Sequence, residues 1–274
     1  MSNMIRRSLD PNGEHDSPLS QYRIDWGYDN IEVRLLWGPY DREAFNRMVY
    51  KAVLATRGSD IREDSYDPEV VAEAFSGGLN QCLEWATVVF EISGVSRGLT
   101  HELVRTRKAS FAQQSMRHTN MTGANLRMPE YIADSGSVVQ GWWVESVQQA
   151  MQAYEDLVLE DYPYQDARTV LPIATETYIV AAYPISVFLA TYAYRACHMF
   201  YPEIVFLFRR MKDVLVAEIP WLEPFIKVSC EKTRPNGDHP HMCTYQGWER
   251  VEGHCPLAWA QEDNRVWKSS KFEN

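Results

Sequence analysis

The sequence predicts an α+β protein in which helices pack around a mixed sheet. Two short runs rich in β-branched residues, 86–92 and 175–183, have the length and composition of strands. Several longer stretches carry apolar residues at helical spacing, with caps or prolines at their ends. The two kinds alternate along 274 residues, 45% of them hydrophobic, enough chain to bury a sizeable core.

Taken in order, residues 1–30 open with MSNMIRRSLDPNGEHDSP, which is charged and lacks the apolar centre of a secretory signal, so they read as a flexible tail. Asp41 is placed to cap a helix whose Phe45, Met48, Val49, Ala52 and Val53 share one face. Asp67-Pro68 starts another and Gly77-Gly78 ends it. The strand at 86–92 is expected to stop at Ser93-Gly94. Ser96 then caps a helix over 97–107, with Leu99, Leu103 and Val104 inward and Arg105 and Arg107 emerging beside a loop that carries Ser110 to Arg117. From Val138, the residues Trp143, Val147, Ala150, Met151, Tyr154, Leu157 and Val158 mark a long amphipathic helix closed near Tyr162-Pro163. After the strand at 175–183 come helices at 185–197 and 203–218, the last bounded by Pro220.

No repeat, linker or composition shift marks an interior boundary, so the expected organisation is a tail, 1–30, one domain, 31–225, and an extension, 226–274. A net charge of −10 and a pI near 5.2 leave no basic face wide enough to follow a nucleic acid, though a free nucleotide remains open. The most apolar stretch, 178–193, contains Pro184, Ser186 and Thr191 and is shorter than the roughly 20 residues that span a bilayer, so no membrane segment is expected. Five cysteines, an odd number, fit a reducing cytoplasmic setting better than a disulfide framework.

Against that acidic average, Arg97, Arg105, Arg107, Lys108 and Arg117 crowd one stretch and bracket Ser110 and Ser115. A local positive field with hydroxyls at fixed offsets favours a phosphorylated small molecule. Arginines used only in surface pairs are the ordinary alternative.

The order Arg105-Thr106-Arg107, then Ser115 and Arg117, resembles the signature of the flavin-dependent thymidylate synthases, in which Arg-His-Arg is followed by Ser and Arg. The flanking Gly94-Val95-Ser96-Arg97 and Ser110-Phe111-Ala112-Gln113-Gln114, the run from Ala167-Arg168 to Thr177, and Arg195 match the same family in the same order. The resemblance implies a homotetramer whose active sites are shared between subunits. It also implies transfer of a one-carbon unit from methylenetetrahydrofolate to C5 of deoxyuridylate, with FAD relaying hydride from NADPH. By resemblance, Glu102, Gln113, Gln114, Ser115, Arg117, Arg168 and Arg195 bind the nucleotide. Arg195 and Ser115 are the residues closest to catalysis, Arg195 as a fixed cation facing the uracil. Arg105, Thr106, Arg107, Ser110 and Gln113 are implied for FAD.

Departures cluster on the flavin side. Leu79 and Trp85 stand where the family has histidines, Gln81 where it has a small hydroxyl residue, Thr106 in place of the middle histidine, and Pro184-Ile185-Ser186 in place of Asn-x-Arg; Glu84 alone holds. Leucine and proline cannot replace donors. Glu102 replaces a glutamine and His118 a tyrosine. The pattern suggests a divergent member with an altered nucleotide, a UMP or dUMP C5-methylase of the kind used in nucleoside-antibiotic pathways. The reading from another class is a uridylate-binding or assembly protein of the same fold that has lost its flavin.

The extension gathers Cys230, His239, His241, Cys243, His254 and Cys255. Zinc is chemically feasible there, but the spacing matches no standard finger or ribbon. A tail that packs through Trp248, Pro256, Leu257 and Trp259 on the body or a neighbouring subunit is the preferred reading, so no metal ligand is assigned. His101 and His198 read as residues without a ligand role, and the stripe 192–201 as core.

Overall fold

The computed structural model describes residues 22–62, 66–76, 78–197 and 200–229. These divide into two compact units interleaved in sequence. The first takes 22–32, 92–105 and 111–180, and the second takes the remaining described residues. Because each unit is assembled from separated stretches, no linker or change in composition announces the division.

The strands are β1 (Ile24–Asp25), β2 (Glu32–Trp37), β3 (Thr87–Ser96), β4 (Ser110–Gln113), β5 (Leu126–Arg127) and β6 (Glu176–Pro184). Four form a sheet in the order β2-β3-β6-β4, and β1 pairs in parallel with β5 through Ile24 with Leu126 and Asp25 with Arg127. The helices are α1 (Arg42–Thr56), α2 (Pro68–Phe75), α3 (Arg97–Leu103), α4 (Glu130–Ala133), α5 (Ser137–Leu159), α6 (Tyr164–Ala167), α7 (Ile185–Arg195) and α8 (Pro202–Glu218). The mixed α+β class expected from sequence is the class observed. No helix among the described residues is long and apolar enough to cross a membrane.

The expected caps are in place. Asp41 accepts from the Ala44 amide at 3.0 Å, Asp67 from Glu69 at 2.8 Å, and Ser96 from Leu99 at 3.0 Å. β3 does not stop at Ser93-Gly94. Gly94 takes φ 71°, a conformation a glycine adopts without cost, and carries the strand on to Ser96. α3 ends at Leu103 rather than at 107, and Val104 is 40% exposed instead of facing inward. Lys108, at φ 66°, reverses the chain so that Ser110–Gln113 enters the sheet as β4 where a loop was expected. Packed structure also reaches back to a buried Tyr22 and to β1, inside the stretch read as a tail.

In the first unit α5 supplies the core. Val147 and Met151 pack with Tyr22 and Leu126, and Tyr154 packs with Met116, Met121 and Ala167. A fully buried large side chain such as Met151 or Leu126 contributes about 1.5–3 kcal/mol. In the second unit α1 and α2 meet through Phe45 and Phe75, and Phe45 lies 4.8 Å from Trp221, ring centre to ring centre. Tyr183, Phe188 and Phe208 form another aromatic cluster there.

Candidate active site

The first unit brings most of the nucleotide-directed residues onto three neighbouring stretches. Where β3 becomes α3, the Arg97 amide donates to the Thr175 carbonyl at 3.0 Å and the Gly98 amide to Ile173 at 2.8 Å. The start of the helix is thereby tied to the segment that follows Arg168. The half-buried Arg97 side chain donates through Nη1 to the Gln114 carbonyl at 3.3 Å. Gln113 donates from Nε2 to Thr100 Oγ1 at 2.7 Å, which anchors the end of β4 on α3.

Ser115 then opens a tight turn. Its hydroxyl oxygen accepts from the Arg117 amide at 3.3 Å, and its carbonyl accepts from His118 and Thr119 at 3.1 and 3.0 Å. That leaves the Ser115 O–H available to donate and Arg117 exposed beside it. The turn is held from beneath by Tyr154 of α5, whose hydroxyl oxygen accepts from the Met121 amide at 2.9 Å. Arg168 is exposed at the start of the 3-10 turn Arg168–Val170, its Nε directed at the Gln165 carbonyl at 3.3 Å. Burial first, and the positive charge of Arg168 second, hold the Arg97 guanidinium below the ordinary arginine value. Neither Arg97 nor Arg168 is paired with a carboxylate among the described residues, an arrangement in which an anion could serve both.

Glu102 is half-buried on α3, and Arg105 is exposed just past its end. Thr106, Arg107, Ser110 and Arg195 belong to the second unit. Arg107 and Ser110 are exposed and Thr106 half-exposed around the Lys108 reversal. Glu84 accepts from Lys108 Nζ at 2.8 Å, and Trp85 is 65% exposed. Arg195, at the end of α7, lies over the rings of Tyr194 and Phe200 at 5.8 and 5.4 Å. In the second unit Thr106, Arg107 and Ser110 offer a guanidinium and two hydroxyls, donors that could hold a pyrophosphate such as that of FAD, whereas the side chains of Leu79 and Pro184 offer none. Among the described residues no cluster of His, Cys, Asp or Glu could hold a metal. The cysteine and histidine cluster of 230–255, and His198, lie outside the described residues.

Sequence reasoning missed a buried pair. Arg127 is 1% exposed and donates from Nη2 to Glu176 Oε1 at 2.6 Å. Glu176 also forms part of the wall of a polar cavity of about 300 Å³, with Gly94, Gln114, Asn120, Asn125 and Thr177. Burial raises the Glu176 pKa, and Arg127 offsets this only partly. The trace was present in the sequence: a single arginine inside Leu126-Arg127-Met128 and a single glutamate entering an apolar strand are opposite charges at interior positions.

Residues 40–221 match the family model described as thymidylate synthase complementing protein. A flavin-dependent thymidylate synthase of Geobacter sulfurreducens is 34% identical over 157 residues, 55% of this chain and 67% of that protein. Among solved structures, the UMP/dUMP methylase PolB of Streptomyces cacaoi, bound with 5-Br dUMP, superposes with a TM-score of 0.58 at 18% identity, covering 74% of this chain and 96% of that one. Thymidylate Synthase X of Helicobacter pylori, solved with FAD and dUMP, gives 0.50 at 19% identity, covering 72% and 99%. The ordered arginine and serine motifs, the fold that carries them and the match over 40–221 agree, and the chain belongs, as a divergent member, to the thymidylate synthase complementing protein family of flavin-dependent enzymes.

Proposed function

We propose that this enzyme methylates C5 of a uridine nucleotide, dUMP or UMP, with methylenetetrahydrofolate as the one-carbon donor and NADPH as the reductant. The observation that carries the proposal is the Arg97 and Arg168 pair of like charges, poised beside the Ser115 turn without a carboxylate. A doubly charged phosphate would relieve their repulsion and accept a hydrogen bond from the Ser115 hydroxyl and a fork from Arg117. Arg195, its guanidinium braced on two aromatic rings, would supply a fixed positive charge for the uracil as negative charge develops on it. Arg105, Thr106, Arg107, Ser110 and Gln113 would hold FAD. When bound, FAD supplies the hydride relay that no side chain can. Assembly as a homotetramer with shared sites, and work in the cytoplasm, belong to the same proposal. The names of the Streptomyces and Helicobacter proteins, with their uridine nucleotides, support the substrate class.

The test is turnover by the purified full chain of dUMP and of UMP with FAD, methylenetetrahydrofolate and NADPH, the product identified by mass spectrometry. C5-methylated nucleotide formed only in the complete mixture is the expected result. Nucleotide and flavin both bound, with no product from either sugar, would overturn it. A colourless protein that binds dUMP and cannot be reconstituted with FAD would instead support a flavin-depleted uridylate-binding protein, the reading that Leu79 and Pro184 favour.

A further inference from the structure

We propose that the buried Arg127 and Glu176 are positioning residues, a clamp that holds Arg97 and Arg168 in register to grip one nucleotide phosphate; the inference rests on the uridylate reading above. Arg127 is 1% exposed and the Glu176 side chain 9%. Besides the 2.6 Å bond to Glu176, Arg127 donates to the Gly27 carbonyl at 2.5 Å and to Asn30 Oδ1 at 2.7 Å. The pair sits where two segments already share backbone bonds, Arg127 N to Ala174 O and Glu176 N to Asn125 O, both 2.8 Å.

The clamp reaches Arg97 from two sides. On one, the locked segment presents Thr175 and Ile173, whose carbonyls accept from the first two amides of α3, Arg97 and Gly98; Arg168 lies a few residues upstream on that same segment. On the other, Arg127 fixes Gly27 and Asn30, and the Asn30 carbonyl lies so close to Gly94 that no Cβ fits between them. Gly94 in turn sets the end of β3 that leads into Ser96 and Arg97.

Such support has a physical purpose here. Like charges brought together without a ligand push apart, and only a rigid backbone keeps them preorganised for a phosphate. A buried ion pair is a weak source of net stability, because desolvation consumes most of the attraction, so its contribution is better sought in geometry than in melting temperature.

The experiment compares the full chain with the double variant Arg127→Met/Glu176→Gln, which removes both buried charges at once. Calorimetric dUMP binding, steady-state kinetics, melting temperature and amide exchange at Arg97 and Gly98 are measured on each. The expected result is a melting temperature near that of the wild type, a dUMP dissociation constant and KM raised about tenfold, kcat at saturation changed by less than about threefold, and faster exchange at both amides. Should the double variant fail to fold, Arg127→Lys, which keeps the buried positive charge beside Glu176 but gives up the fork to Gly27 and Asn30, is expected to raise the dUMP dissociation constant, KM and the exchange at both amides by about threefold with kcat little changed. A folded variant that binds dUMP as the wild type does, with unchanged exchange at Arg97 and Gly98, would overturn the clamp. Wild-type protein that binds no dUMP would overturn the uridylate reading and with it the phosphate role, while the exchange data would still report whether the pair holds the helix start.

Discussion

Arg168 presses on Arg97: its charge adds to burial in lowering the Arg97 pKa, and no carboxylate among the described residues answers either cation. An anion bound between the two would offset that repulsion. Arg168→Gln should leave the free protein as stable as the wild type or slightly more so, yet remove a charge-assisted fork worth about 1.5–3 kcal/mol from the complex. The dUMP dissociation constant should rise between about tenfold and a hundredfold. Calorimetry, with melting curves recorded with and without dUMP, checks both halves; a variant that binds normally removes Arg168 from the site.

Gly94 and Gly123 share a left-handed backbone, φ 71° and 69°, but not an environment. A Cβ at Gly94 would run into the Asn30 carbonyl, whereas at Gly123 it would meet nothing within 4 Å. Gly123→Ala should cost only the conformational penalty, about 1 kcal/mol. Gly94→Ala adds a backbone clash to that penalty and should cost about 2–4 kcal/mol. Urea denaturation of the two variants side by side gives the comparison, and equal losses would mean that segment 25–30 yields easily.

Elements with strong local signals were legible in the sequence. Asp41, Asp67 and Ser96 cap helices because their short side chains reach the unpaired amides of a first turn, and α5 declares its buried face through Val147, Met151 and Tyr154. β1 and β5, two residues each, are too short to show a period, and Ser110–Gln113 is too polar to show an apolar face. The ends of β3 and α3 depart from the local signals because the chain takes a left-handed conformation at Gly94 and at Lys108, where it meets the Asn30 carbonyl and Glu84. The same limit hid the site's support. Arg97, Ser115 and Arg117 are legible as a basic cluster with a hydroxyl, and Arg168 through the family resemblance, but that Arg127 pairs with Glu176 depends on β5 and β6 being brought together by the fold.

Burial raises the Glu176 pKa above the ordinary value of 4.5, with the nearby Asp25 charge acting in the same direction, while Arg127 and Asn125 oppose it. A carboxyl whose pKa is higher in the folded state than in the unfolded one holds its proton more tightly when folded. Its contribution to stability is complete below the unfolded value and is lost as pH rises through the raised folded value. Stability of the wild type relative to Glu176→Gln should therefore decline from about pH 4.5 upward and level off once the carboxyl is ionised. Denaturation midpoints for both proteins across that range give the difference directly, and a flat or rising difference would show that Arg127 outweighs burial.

On the flavin side, the retained Glu84 accepts from Lys108 across a pair whose side chains are 38% and 67% exposed. An exposed pair of this kind contributes about 0–1 kcal/mol to stability. Lys108, however, occupies the left-handed residue that turns the chain between Arg107 and Ser110, so the bond constrains the geometry of the donors proposed for FAD. Glu84→Gln keeps the side chain's size and removes its charge. The melting temperature should therefore change little, while the FAD dissociation constant should rise about tenfold because the turn must be ordered at the moment of binding. Trp85→His alters a neighbour that is 65% exposed, so it should leave stability within about 0.5 kcal/mol. Flavin fluorescence titrations of the two variants separate a geometric role for Glu84 from a general sensitivity of residues 79–85: equal losses in both, or none in Glu84→Gln, would remove the turn from the flavin site.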